Sequence, residues 1–137
     1  MASCPSCHAF ACAERFHQFL ALEFVDPQYG AVHHLTVAAY MLQHPGRLSR
    51  DGWRGIRDTL RAFLVEGRTP QEHRARVGEQ VASNNRTWSL RKGPHITLPD
   101  GFTWSQTIEA VDDSDPRRYC REVEAWARRV LADAETI

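Results

Sequence analysis

No stretch of this 137-residue sequence approaches the roughly 20 apolar residues of a membrane span, and no linker, repeat or low-complexity tract interrupts it. A surplus of one charge is missing too. Seventeen basic residues stand against seventeen acidic ones, which leaves no global field to attract nucleic acid. The first residues lack the basic start and apolar stretch of a signal peptide, so the expected location is the cytoplasm, where reduced thiols favour metal ligation over disulfides. Hydrophobic residues make up 42% and charged ones 25%, an ordinary globular balance that sets disorder aside. A chain of this size is expected to form one domain, residues 1–137, with a core large enough not to depend on a staple.

Cysteines are few, four in all, yet three fall within the first twelve residues as Cys4-Pro5-Ser6-Cys7 and then Cys12. A C-x-x-C turn presents two sulfurs to one ion at about 2.3 Å each, and a closed tetrahedral zinc site needs two further ligands. The same pair is compatible with a redox dithiol, but the βαβ context that motif requires does not follow.

Helical periodicity runs through most of the chain. Cys12, Phe16, Phe19, Leu20 and Phe24 recur at helical spacing until Asp26-Pro27, and a second run from Ala31 to Gln43 carries Val32, Leu35, Ala39, Tyr40 and Leu42 until His44-Pro45-Gly46. The short Gln28-Tyr29-Gly30 turn between them predicts an antiparallel αα-hairpin. Ser49 is placed to cap a third helix that reaches about Glu66 before Gly67 stops it, and Thr69-Pro70-Gln71-Glu72 reads as a capping box opening a fourth that fades near Ser83-Asn84-Asn85. The pattern weakens over 86–102, where Gly93-Pro94, Pro99-Asp100-Gly101 and the alternating His95-Ile96-Thr97-Leu98 suggest an ordered loop or a short hairpin. Thr103 is expected to cap a short helix through Ala110, and Asp115-Pro116 to open a last one bearing Tyr119, Val123, Trp126 and Val130. The fold class is therefore all-α, a compact bundle of five to six helices with an N-terminal zinc knuckle.

Hairpin geometry nominates the remaining ligand. Residues equidistant from the turn lie at one height, and Cys12 is fourteen residues before Asp26 while His44 is fourteen after Gly30. Cys4, Cys7, Cys12 and His44 then form a Cys₃His shell for Zn²⁺, with His8 an alternative fourth ligand. His33 is eleven residues from His44, about 16 Å along a helix, and cannot share that ion. It falls instead near Glu23 and Asp26, a carboxylate and imidazole cluster at the opposite end of the hairpin.

Each candidate has a plainer role open to it. Cys12 can be a small buried hydrophobe, and His44 can cap the helix C-terminus. Asp26 can stabilise the Asp-Pro turn while Glu23 and His33 lock the hairpin. The cluster's functional alternative is acid–base or metal chemistry. His17 and His34 read as surface or packing residues and Cys120 as core. Trp53 and Trp126 read as core, whereas Trp88 and Trp104 flank the irregular segment and are freer to serve a binding surface.

The run Val32-His33-His34-Leu35-Thr36-Val37-Ala38-Ala39-Tyr40-Met41-Leu42-Gln43-His44-Pro45-Gly46 resembles the VHxLTVDAYxxQHPG signature of an uncharacterised bacterial family of unknown function. Its members carry a similar C-x-x-C, third cysteine, glutamate and Asp-Pro turn, matched here by Cys4, Cys7, Cys12, Glu23, Asp26 and Pro27. Trp126-Ala127 is similar to the family's tryptophan-alanine helix. The resemblance implies no activity. Ala38 stands where members often have aspartate, which weakens a catalytic or metal role at that position.

Two functional classes follow. The first is a helical protein with structural zinc, serving as an accessory module for a small molecule or a protein, with no nucleic acid and no membrane as partner. The second is a metal-dependent enzyme working through Glu23, Asp26 and His33. A concave pocket holding those three groups would favour the enzyme, and an exposed apolar patch around Trp88 or Trp104 the module.

Overall fold

The computed structural model describes residues 2–82 and 93–137, which form six α-helices and no β-strand. The first, α1 (Cys12–Val25), stops where Asp26 turns extended ahead of Pro27. Asp26 then caps the four-residue α2 (Pro27–Gly30), accepting from Gln28 N–H at 2.9 Å, so the expected turn is a single helical one. Glycine is required at its end, because a Cβ on Gly30 would lie 2.7 Å from the Glu23 carbonyl oxygen. The next helix, α3 (His33–Leu42), leads into a 3-10 turn over Pro45–Arg47.

Ser49 accepts from Gly52 N–H at 3.0 Å and opens α4 (Arg50–Leu64), which ends ahead of Gly67 at φ 72°. At α5 (Pro70–Ala82), Thr69 accepts from Glu72 N–H at 3.1 Å, and its hydroxyl donates to the Glu72 carboxylate at 3.2 Å. The predicted fade at Ser83-Asn84-Asn85 lies outside the described residues. Residues 93–102 form neither helix nor strand, so His95 to Leu98 is a loop. The Thr103-capped helix is replaced by a 3-10 turn, Ile108–Ala110, which Thr107 caps instead. Asp115 opens α6 (Pro116–Ala134) as expected, accepting from Arg118 N–H at 2.9 Å.

The core centres on α3, which packs against α4 and α6, while α4 and α6 also meet each other. Trp53 of α4 and Trp126 of α6 are fully buried on either side of it, as their helical spacing indicates. Their indole N–H groups are satisfied where α3 ends: Trp53 donates to the Leu42 carbonyl at 3.0 Å and Trp126 to the Gln43 side-chain oxygen at 3.2 Å. Gln43 donates onward to the Gln106 carbonyl at 2.7 Å, and Arg15 of α1 donates to the carbonyls of Ile108 and Val111. These bonds fasten the irregular segment onto the helices. Among the described residues, no helix is long and apolar enough to cross a membrane.

Two apolar side chains depart from expectation. Phe24 is 92% exposed, since four-residue steps from Cys12 drift by about 40° each and carry position 24 about 120° off the buried stripe. Glu23, within about 20° of that stripe, is buried in its place. Trp104 is not a surface residue: it is buried in the core, edge-on to Phe102 at 4.9 Å. Trp88 lies outside the described residues.

Candidate metal centre

Ahead of α1 the chain folds back on itself. Cys4 N–H donates to the Ala9 carbonyl at 2.9 Å, and His8 N–H donates to the Cys4 carbonyl at 2.8 Å. His8 and Ala11 hold φ at 68° and 52°, a left-handed conformation that side-chain-bearing residues rarely adopt. One directly follows Cys7 and the other directly precedes Cys12. Such strained positions persist where their surroundings over-determine them, and here the two reversals bring three sulfurs to one place.

The sulfurs of Cys4, Cys7 and Cys12 and a ring nitrogen of His44 all lie within 4.8 Å of one another. A tetrahedron with bonds of about 2.3 Å sets sulfurs about 3.8 Å apart, so these four can hold a metal ion after drawing in by about 1 Å or less. All four cysteines of the chain are free thiols. Cys7, Cys12 and His44 are buried and Cys4 is partly exposed.

The backbone sets the orientation and tautomer of His44. Its Nδ1 lies 2.7 Å from the Tyr40 carbonyl, an acceptor only, so Nδ1 carries the proton and donates. The lone pair is left on Nε2, which points at the Cys12 sulfur 3.5 Å away. Burial lowers the His44 pKa from its ordinary value, which keeps the ring neutral as ligation requires. The ring also stacks on Tyr40, centroids 4.0 Å apart. Tyr40 thus supports the imidazole with both its ring and its carbonyl.

Protonation of the sulfurs is uneven. Burial pushes the Cys7 thiol up to about 12, with the Cys12 and Cys4 sulfurs adding to the effect. Burial also raises Cys12, aided by the adjacent Cys4 thiol. At Cys4 burial is outweighed by hydrogen bonds from the Cys7 and Ser6 backbone and from the Cys12 and Cys7 side chains, so its pKa falls. Three adjacent thiolates repel one another without a cation, and the charge of a divalent ion held between them would offset that repulsion and favour loss of all three protons.

The second nominated cluster lies at the other end of α1 and α3. The Glu23 side chain is 1% exposed, and its Oε1 accepts from His33 Nδ1 at 2.8 Å. Oε2 accepts from the Thr36 hydroxyl at 2.5 Å and the Tyr119 hydroxyl at 2.6 Å. The His33 side chain is 56% exposed. Asp26 turns a carboxylate oxygen to Gln28 N–H, so the structure joins Glu23 and His33 with Thr36 and Tyr119. Thr36 is legible on the α3 face that carries His33 and Tyr40. Tyr119, 96 residues from Glu23, leaves no local signal.

Of the remaining candidates, His8 is exposed and outside the group of four. His17 is exposed, and His34 packs edge-on to Phe63 at 4.7 Å. Cys120 is partly buried and donates to the Gln28 carbonyl at 3.2 Å. Among the described residues, Cys4, Cys7, Cys12 and His44 are the one grouping of three or more such side chains with metal-ligand spacing.

Residues 2–135 match the model of a family of unknown function, DUF5946. No curated protein and no solved structure matches the chain.

Proposed function

We propose that this chain, which belongs to that family of unknown function, is a zinc-stabilised helical module in which Cys4, Cys7, Cys12 and His44 hold one structural Zn²⁺. The carrying observation is the closed donor set: three sulfurs and an imidazole nitrogen within 4.8 Å, with His44 Nδ1 already bound to a carbonyl and Nε2 facing the sulfurs. Thiolate-rich tetrahedral sites select zinc over harder cations, and four protein ligands leave no open position for substrate, whereas catalytic zinc retains one. The metal then fastens the N-terminal segment onto α1 and α3. Residues 1–137 act as one domain, an accessory module for a small molecule or a protein in the cytoplasm, where reduced thiols keep the site loaded.

Elemental analysis of protein purified without added metal tests this reading. About one zinc per chain is expected, lost from Cys4→Ser and Cys7→Ser and retained by Cys120→Ser. Folded, metal-free protein with intact thiols, or equal loss from all three variants, refutes it.

A further inference from the structure

The buried carboxylate of Glu23 has no place in the metal centre, and its surroundings do more than satisfy it. Thr36 and Tyr119 already occupy Oε2 and tie α1 to α3 and α6. Oε1 is given to His33, a side chain more than half in solvent. Because an ionised carboxylate only accepts, His33 Nδ1 carries the shared proton, and the electron pair of the neutral ring sits on Nε2. A buried carboxylate therefore fixes both the tautomer and the orientation of an accessible imidazole.

We propose that Glu23 and His33 form an acid–base site in which His33 Nε2 takes a proton from a hydroxylic donor, water or an alcohol, at the surface. Glu23 orients the ring, and Thr36 and Tyr119 are positioning residues that hold the carboxylate. In hydrolysis of an ester, Nε2 removes a proton from water as the water oxygen bonds to the acyl carbon. The bond from that carbon to the leaving oxygen breaks, and the imidazolium then gives its proton to the leaving group or to solvent.

The neighbouring titratable groups leave this role to His33. Burial, and then Glu23 itself, raises the pKa of both Tyr119 and Cys120 on α6, so they remain protonated. Burial lowers His34 of α3, and His33 adds to that shift, so its ring stays neutral. Asp26, closing α1, is bound to Gln28 N–H. Gly30 lets α2 approach the Glu23 backbone, and the Tyr119 ring is wedged between Phe19 at 5.0 Å and Tyr29 at 5.1 Å, which fixes its hydroxyl.

The test measures hydrolysis of 4-nitrophenyl acetate by the metal-loaded full chain from pH 5 to 9, with zinc content and melting temperature recorded for each variant. The wild type should exceed buffer, and His33→Gln should lose roughly tenfold or more of that excess while keeping its zinc. His17→Gln, which changes an exposed histidine on α1 instead, should match the wild type. Glu23→Gln should slow the reaction and change the His33 ring tautomer read by nitrogen NMR, because the ring loses the carboxylate that fixes it. Tyr119→Phe keeps the carboxylate and should have a smaller effect. A wild type no faster than buffer, His33→Gln at the wild-type rate, or a folded Glu23→Gln with the wild-type rate and ring tautomer would overturn the proposal. Zinc content separates these outcomes from failure of the metal centre.

Discussion

Phe16 and Tyr40 stack with ring centroids 3.8 Å apart and planes 4° from parallel, between the metal centre and the Glu23 cluster. They belong to a register that runs the length of the α1–α3 contact. Cys12 and His44 lie sixteen residues either side of Gln28, Phe16 and Tyr40 twelve, and Glu23 and His33 five. All three pairs are in contact, as antiparallel helices closed by a short turn require.

The two histidines at opposite ends of this register should fail differently. His44→Ala removes a ligand and should lower zinc affinity and melting temperature together, because metal bound only by the folded state adds its binding free energy to folding. His33→Ala should keep its zinc. Metal titration read alongside melting curves checks both. Zinc lost from His33→Ala but kept by His44→Ala would overturn the ligand set.

Tyr40 supports the candidate metal centre through two contacts: its carbonyl accepts from His44 Nδ1 and its ring stacks on the imidazole. Tyr40→Phe keeps both and should hold zinc as the wild type does. Tyr40→Leu removes the stacks on His44 and Phe16 and should weaken zinc roughly tenfold, the lower range for loss of a ligand's support, and cost about 2–3 kcal/mol in stability. Chelator competition and cobalt(II) absorption spectra read the first effect, and denaturant unfolding the second.

His34 and His73 both meet Phe63 edge-on, at 4.7 and 5.3 Å, and burial lowers the pKa of each. The unfolded chain, with histidines near the usual value of about 6.5, binds more protons than the folded one as pH falls. Their contribution is thus present above about pH 6.5 and lost as pH falls through the lowered folded values. Melting temperature should drop between neutral pH and mildly acid solution, and His34→Gln should flatten the slope. The metal-loaded protein should be scanned at a pH that retains zinc, so that ligand release does not enter.

Gly30→Ala places a Cβ 2.7 Å from the Glu23 carbonyl oxygen. Backbone must give way, and overpacking of this kind costs about 1–3 kcal/mol. The displacement acts on Glu23, so the loss of stability should come with a changed His33 ring signal by NMR and unchanged zinc content. An unperturbed His33 resonance would mean that α2 yields without moving α1.

Where the controlling physics is local, the sequence by itself determined the result. Asp26, Ser49, Thr69 and Asp115 cap their helices because a short side-chain oxygen reaches an N–H group two or three residues on. The C-x-x-C turn and the even spacing of Cys12 and His44 about a short connection likewise placed the four candidate ligands together, since helical rise converts residue number into height. Tertiary structure decided what no local pattern carries. Thr107 rather than Thr103 caps the short turn because Arg15 and Gln43 seize the carbonyls around it. Trp104 is buried although it flanks the irregular segment, and Phe24 is exposed although its spacing is helical, because burial depends on which face a distant element covers. Tyr119 reaches Glu23 only through the packing of α6, across 96 residues of chain. A carboxylate with three donors forms only when separate helices bring them together.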